Sequence, residues 1–156
     1  MTTEEHLSTI DALAVRPFPE AAYIEASGGG GPEHHVRDLQ VSRDFWDDDD
    51  GQAWVEAEAE LQGCLDDLSV RLTTRWGNAF VVDLGPYLHA GCEGEPAPEP
   101  LNYLSQQAVT MRVWPLPDGD RWLALALGQG DKELPLILLA AVGQASVPGL
   151  STSGRS

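Results

Sequence analysis

The sequence predicts a single α+β domain: a mainly antiparallel β-sheet with a C-terminal meander, one long amphipathic helix packed on it, and a short N-terminal helix. Three observations carry this. Apolar residues recur at three- and four-residue spacings from Gln52 to Trp76, the period of a one-sided helix. Large apolar residues recur at period two in Ala108–Trp114 and Arg121–Gly128, the period of a strand. Between those segments lies Asp118-Gly119, a strong hairpin signal. The chain has 156 residues, enough for one domain that buries roughly 70% of the surface its unfolded chain exposes. Residues 1–143 form the expected domain, and 144–156, small and polar, read as a disordered tail.

The elements follow in order. Met1 to Val15 reads as a helix capped by Thr2 or Thr3, with Glu4 and Glu5 in its first turn and Leu7, Ile10, Leu13 and Ala14 as its stripe. Pro17 and Pro19 stop it. Ala22–Ala26 and His35–Val41 are candidate strands, with the glycine run "SGGGGPE" between them as a loop or flexible hairpin connection. In the second strand Val36, Leu39 and Val41 do not alternate cleanly. The helix over Gln52–Trp76 buries Trp54, Ala57, Leu61, Cys64 or Leu65, Leu68 and Leu72, and Gly77 ends it. Asn78–Leu84 is strand-like, and "GPYLHAGCEGEPAPEP" follows as a Gly/Pro-rich connection with room for a short turn. Leu134–Gly143 reads as a last buried strand, although Ala140 and Ala141 leave a helix open.

Charge excludes several functions. There are 25 acidic residues against nine basic ones, a net charge of −16. Phosphate neutralisation needs clustered Lys and Arg, so nucleic acid is not an expected partner. An anionic membrane repels such a chain, and the longest apolar run, about ten residues, falls short of the roughly 20 that a span needs. A basic protein, in contrast, would be drawn to it, chiefly through a faster association rate. No charged segment followed by an apolar one opens the chain, so a cytoplasmic location is expected.

No motif assembles a cofactor, metal or catalytic site. "DFWDDDDGQAW" packs five aspartates into residues 44–50, but an EF-hand register anchored on Gly51 puts Trp46 at the first ligand position and Ala57 at the last. Asp49 or Asp50 instead suits the cap of the long helix, and Phe45 can staple its start to Trp54. His89 and Cys92 are spaced as half a zinc site without its partner pair. The glycine run lacks the lysine and Ser/Thr of a phosphate loop. Carboxylates such as Glu25, Glu33, Asp38 and Asp83 occur throughout, and none is singled out.

The tryptophans offer a surface. Trp114 and Trp122, placed across the hairpin, can share the second face of the meander as an outward pair with Arg112 alongside; the other reading, slightly favoured, is that a further element such as the N-terminal helix covers them. The leading expectation is therefore a non-enzymatic acidic binding protein, an inhibitor or adaptor for a basic protein. Asp47, Asp48, Glu56 and Glu60 would supply the field, and Trp114 and Trp122 the buried contacts. The alternative is a small enzyme or ligand binder using a pocket between sheet and helix, with His34, His35, His89 and Cys92 as its polar groups. A homodimeric structural protein is the third reading. The segments "GDRWLALALGQGDKELPLILLAAVG" and "LTTRWG…VVDLGPYL" resemble small acidic proteins of high-GC Gram-positive bacteria, a likeness that implies no catalytic residue. In general plan the chain also resembles the acidic α+β immunity proteins that neutralise basic toxins, which implies a basic partner.

Overall fold

The architecture is that of a computed structural model, which describes residues 2–117 and 120–144. The chain runs α1 (Thr3–Val15), β1 (Tyr23–Glu25), β2 (Gly28–Gly31), β3 (His34–Val41), α2 (Gln52–Trp76), β4 (Phe80–Asp83), α3 (Gly85–Cys92), α4 (Leu101–Gln107), β5 (Thr110–Pro115), β6 (Trp122–Gly128) and β7 (Ile137–Gly143). These seven strands make one antiparallel sheet in the order β1-β2-β3-β7-β6-β5-β4. Two meanders, β1–β3 and β4–β7, thus meet where β3 pairs with β7. The expected α+β domain, with its long helix and short N-terminal helix, is what forms.

The helices begin and end where local chemistry dictates. The Thr2 hydroxyl accepts from the Glu5 N–H (3.1 Å) and the Glu5 carboxylate accepts from the Thr2 N–H (2.8 Å), a reciprocal capping box. Leu7, Ile10, Leu13 and Ala14 are buried as the stripe requires. Arg121 closes the far end, donating to the carbonyls of Ala14 (3.2 Å) and Arg16 (2.6 Å). Helix α2 spans the predicted 25 residues and buries Leu61, Leu65, Leu68 and Leu72. Arg71 pairs with Glu4 (3.1 Å) and Arg75 with Asp11, tying α2 to α1.

The sheet is covered on both faces over its middle strands, and the element that covers the second face is α4, not the N-terminal helix. On one side α1 and α2 pack against Trp114, Leu123, Leu125, Leu138, Ala140 and Val142. On the other, Leu101 and Leu104 of α4 pack over Met111, Val113, Trp122, Ala124, Ala126 and Leu139. On this face β6 runs from Trp122 to the small residues Ala124, Ala126 and Gly128, and α4 approaches closely at Gly128. A Cβ at Gly128 would come within 2.8 Å of the Gln107 carbonyl oxygen. Helix α3 stands within the segment expected to be a Gly/Pro-rich connection, and α4 directly after it, in residues for which the sequence predicts no element. Neither has a long apolar stripe: α3 buries no residue, and the seven residues of α4 are too few for a periodic signal.

The glycine run is a strand, not a loop. Gly28–Gly31 pair with β1 on one side and β3 on the other. Propensity disfavours glycine in a strand, but here the neighbouring chains approach too closely for anything larger. A Cβ on Gly30 would lie 2.4 Å from the His34 carbonyl oxygen and 2.8 Å from the Tyr23 ring. The uneven alternation in β3 has a cause too. Asp38 pairs with Leu139 and Gln40 with Leu138, which leaves Leu39 as the extra residue of a bulge. Leu134–Gly143 resolves as a strand from Ile137 onward. The Asp118-Gly119 turn and the tail from 145 onward lie outside the described residues.

Candidate functional site

The acidic stretch before α2 is first of all a helix start. Gly51, with φ +76°, occupies the N-cap and has no side chain to offer. Asp48 reaches in instead: its two carboxylate oxygens accept from the N–H groups of Ala53 and Trp54, both at 3.0 Å. Asp50 accepts from Gln52 N–H at 3.0 Å. Three of the four free donors of the helix end are thus satisfied by two aspartates, each also favoured by the positive end of the helix dipole. Of Asp49 and Asp50, expected as the cap, neither holds the N-cap position; Asp50 bonds the first helical N–H from just outside it, and Asp48, expected as a partner-binding residue, supplies two of the three bonds. Asp44, Asp47 and Asp49 remain exposed beside them.

Two tryptophans flank this corner. Trp46 is 67% and Trp54 37% exposed. They line an open cleft of about 500 Å³ together with Phe45, Asp48, Gln129 and Lys132. The Trp54 indole N–H donates to Gln129 Oε1 (3.1 Å), which fixes its ring at the rim. Phe45 is buried under the loop, its position set by a backbone bond to Glu133 (2.9 Å). Around the flank of α2, Glu56 and Glu60 lie one turn apart beside Gln40, Ser42 and Arg43 in a second cleft of about 340 Å³. Glu60 accepts from Gln40 Nε2 (3.2 Å) and Glu56 from Gln52 Nε2 (3.1 Å).

The expected aromatic pair is not formed. Trp114 is 0% and Trp122 3% exposed, and they lie on opposite faces of the sheet. The reason is register. Trp114 pairs with Leu123 and Pro115 with Trp122, so Trp114 shares the leucine face and Trp122 joins Met111 and Val113. A pairing of Trp114 with Trp122 would differ by one residue, and one residue exchanges the faces. The Trp114 N–H donates to Thr73 Oγ1 of α2 (3.3 Å), which satisfies its one polar atom in the core. Arg112 is likewise turned to α2, bridging Asp66 (3.0 Å) and Ser69 Oγ (2.8 Å), and serves as a clamp between helix and sheet. Trp46 and Trp54, not Trp114 and Trp122, are the exposed tryptophans. Trp54 was placed in the helix stripe, and its position at the first turn, beyond the sheet, explains its exposure.

The histidines and Cys92 do not converge. His35 is buried on the α1 face, where its Nε2–H donates to the Pro17 carbonyl (3.0 Å) and its Nδ1 accepts from the Tyr23 hydroxyl (2.7 Å). Burial pushes its pKa down, and the Arg16 and Arg121 guanidiniums push the same way. His34, one residue away, points to the opposite face and into a groove beside α4. His89 pairs with Glu93 (3.3 Å) on the exposed side of α3, and Cys92 is exposed at its end. Among the described residues, no group of three or more His, Cys, Asp or Glu side chains is placed to hold a metal ion. Nor is any helix long and apolar enough to cross a membrane. Compared with protein-family models, with curated proteins and with solved structures, the chain matches none.

Proposed function

We propose that the chain is a non-enzymatic acidic binding protein that inhibits or adapts a basic protein partner through the corner at the start of α2. The observation that carries this reading is the joint exposure of Trp46 and Trp54 on one cleft beside the aspartate loop. Exposed tryptophan faces attract Arg and Lys side chains, each such contact giving about 0.5–2 kcal/mol depending on how far it is desolvated. Tryptophans are also the residues that most often dominate an interface once buried in it. Asp48 lines the cleft, Asp47 and Asp49 are exposed in the loop between the two tryptophans, Glu56 and Glu60 extend the negative surface along α2, and a net charge of −16 favours the encounter.

The test is capture of partners from the source cells by the full chain at low and high salt, run beside a Trp46→Ala/Trp54→Ala variant and an Asp47→Asn/Asp49→Asn variant. The reading expects a basic protein that the wild type holds at low salt, that high salt weakens, and that the tryptophan variant loses. Equal capture by all three proteins, or no captured partner at either salt, would sink it.

A further inference from the structure

The groove that receives His34 is separate from the α2 corner. It lies on the α4 side of β1–β3, measures about 540 Å³, and falls within the size range of sites for small molecules. Its floor is glycine strand β2, so no side chain fills it. Ile24, 94% exposed, and Val36 give it an apolar middle. Glu99 and Tyr103, one turn apart at the start of α4, form its wall.

Its polar groups are placed at the two ends. His34 and Asp38 project from the same face of β3 four residues apart, roughly 13 Å along a strand. Glu99 lies at the His34 end, close enough to act on the His34 charge, and Tyr103 lies by Asp38. Among the described residues, no hydrogen bond or ion pair engages the Asp38 carboxylate, the His34 ring or the Tyr103 hydroxyl. Glu99 gives one oxygen to the Tyr103 N–H (3.0 Å) and keeps the other free. No Lys or Arg lines the groove. Arg37, next to Asp38 in sequence, faces the other side of the sheet, where Glu25 engages it (4.0 Å). Burial lowers the pKa of His34, which disfavours a positive charge on its ring, while Glu99 and Glu33 pull the other way. Burial also raises that of Asp38, against an opposing pull from the Arg37 charge on the other face.

A channel of this kind has an anion near each end, an apolar middle, and no cation of its own. We propose that it binds a linear aliphatic diamine or polyamine, with one ammonium at Asp38, another at Glu99, and the methylene chain lying over the glycine strand between Ile24 and Val36. Tyr103 adds a ring face and a hydroxyl at the Asp38 end, and His34, in its neutral form, adds a ring nitrogen as acceptor at the other.

The experiment is an amide NMR titration of the full chain with diaminooctane, octylamine and octanediol, which share one chain length and differ in charge. Diaminooctane is expected to shift the amides of Gly29, Gly31, His34, Val36 and Tyr103 in a saturable way. It should bind about tenfold or more tighter than octylamine, the difference one charge-assisted hydrogen bond makes. Octanediol should leave those amides unmoved. Asp38→Asn and Glu99→Gln, both near-isosteric, should each bring diaminooctane down to about the affinity of octylamine. The spectrum of each variant reports whether it is folded, and the comparison of ligands needs no variant at all. Equal binding of diamine and monoamine would overturn the proposal. So would small shifts spread over every acidic surface, shifts confined to the Trp46–Trp54 cleft, or none.

Discussion

Strands β5–β7 and strands β1–β2 belong to one sheet and have opposite surroundings. In the first group the residues of β6 and β7 are buried almost without interruption, by α1 and α2 on one face and by α4 on the other. In the second, β1 is three residues long, β2 has no side chains, and the face towards α4 is open. The difference teaches where each half gains its stability. The middle strands hold through apolar area removed from water. The outer strands hold through backbone pairing and through Tyr23, which lies across Gly30 to reach His35. Both clefts argued above as sites lie outside the doubly covered region, where a partner displaces water and not a core.

Four predictions break or sharpen this comparison, from the largest effect to the smallest. Trp114→Ala, in the doubly covered half, should cost about 3–5 kcal/mol in urea denaturation, whereas Ile24→Ala on the open face should stay within about 0.5 kcal/mol. If both cost the same, the contrast between the halves is wrong. Gly30→Ala should cost about 1–3 kcal/mol through overpacking. Hydrogen exchange should show β1 and β2 losing protection while β6 and β7 keep theirs. Uniform loss would mean that the sheet opens as one unit. Asp48→Ala should cost about 1 kcal/mol as a lost cap, while Asp47→Ala should leave stability within about 0.5 kcal/mol. Thermal melts separate the aspartate that starts the helix from one that is free for a partner.

The smallest effect concerns pH and the outer half. The folded pKa of His35 lies below its unfolded value of about 6.5, so the unfolded chain takes up the proton first. Its contribution is fully present above about pH 6.5 and is lost as the pH falls below that value. The unfolding free energy of wild type minus that of a His35→Gln variant should decrease over that range. A difference that is flat with pH would show that His35 does not resist protonation in the fold.

Much of the fold was legible because its signals are local. The span of α2 follows from leucine spacing, the start of α1 from Thr2 and Glu5, and the C-terminal meander from period-two runs. The same rules missed α3, whose short Gly/Pro-containing segment buries no residue, and α4, whose seven residues are too few for a periodic signal. They also misread β2, because glycine prefers no strand until its neighbours are in place. Of the candidate residues, Asp48 was rightly placed at the start of α2 but serves as its cap. Arg112 was placed with an outward pair and clamps α2 to the sheet. Asp38 and Glu99 carried no signal at all, since a carboxylate in so acidic a chain becomes distinctive only when nothing pairs with it.

By itself, the sequence determined the α+β class, the long helix and its capped start, and a surface of strongly negative charge, because these depend on periodicity, on hydrogen bonds within a few residues, and on composition. Only the tertiary structure decided which tryptophans are buried, since a register one residue different exchanges the faces of Trp114 and Trp122. It alone also turned four glycines into a strand and left a groove above them, because close approach and open space are properties of neighbours that the chain brings from far away.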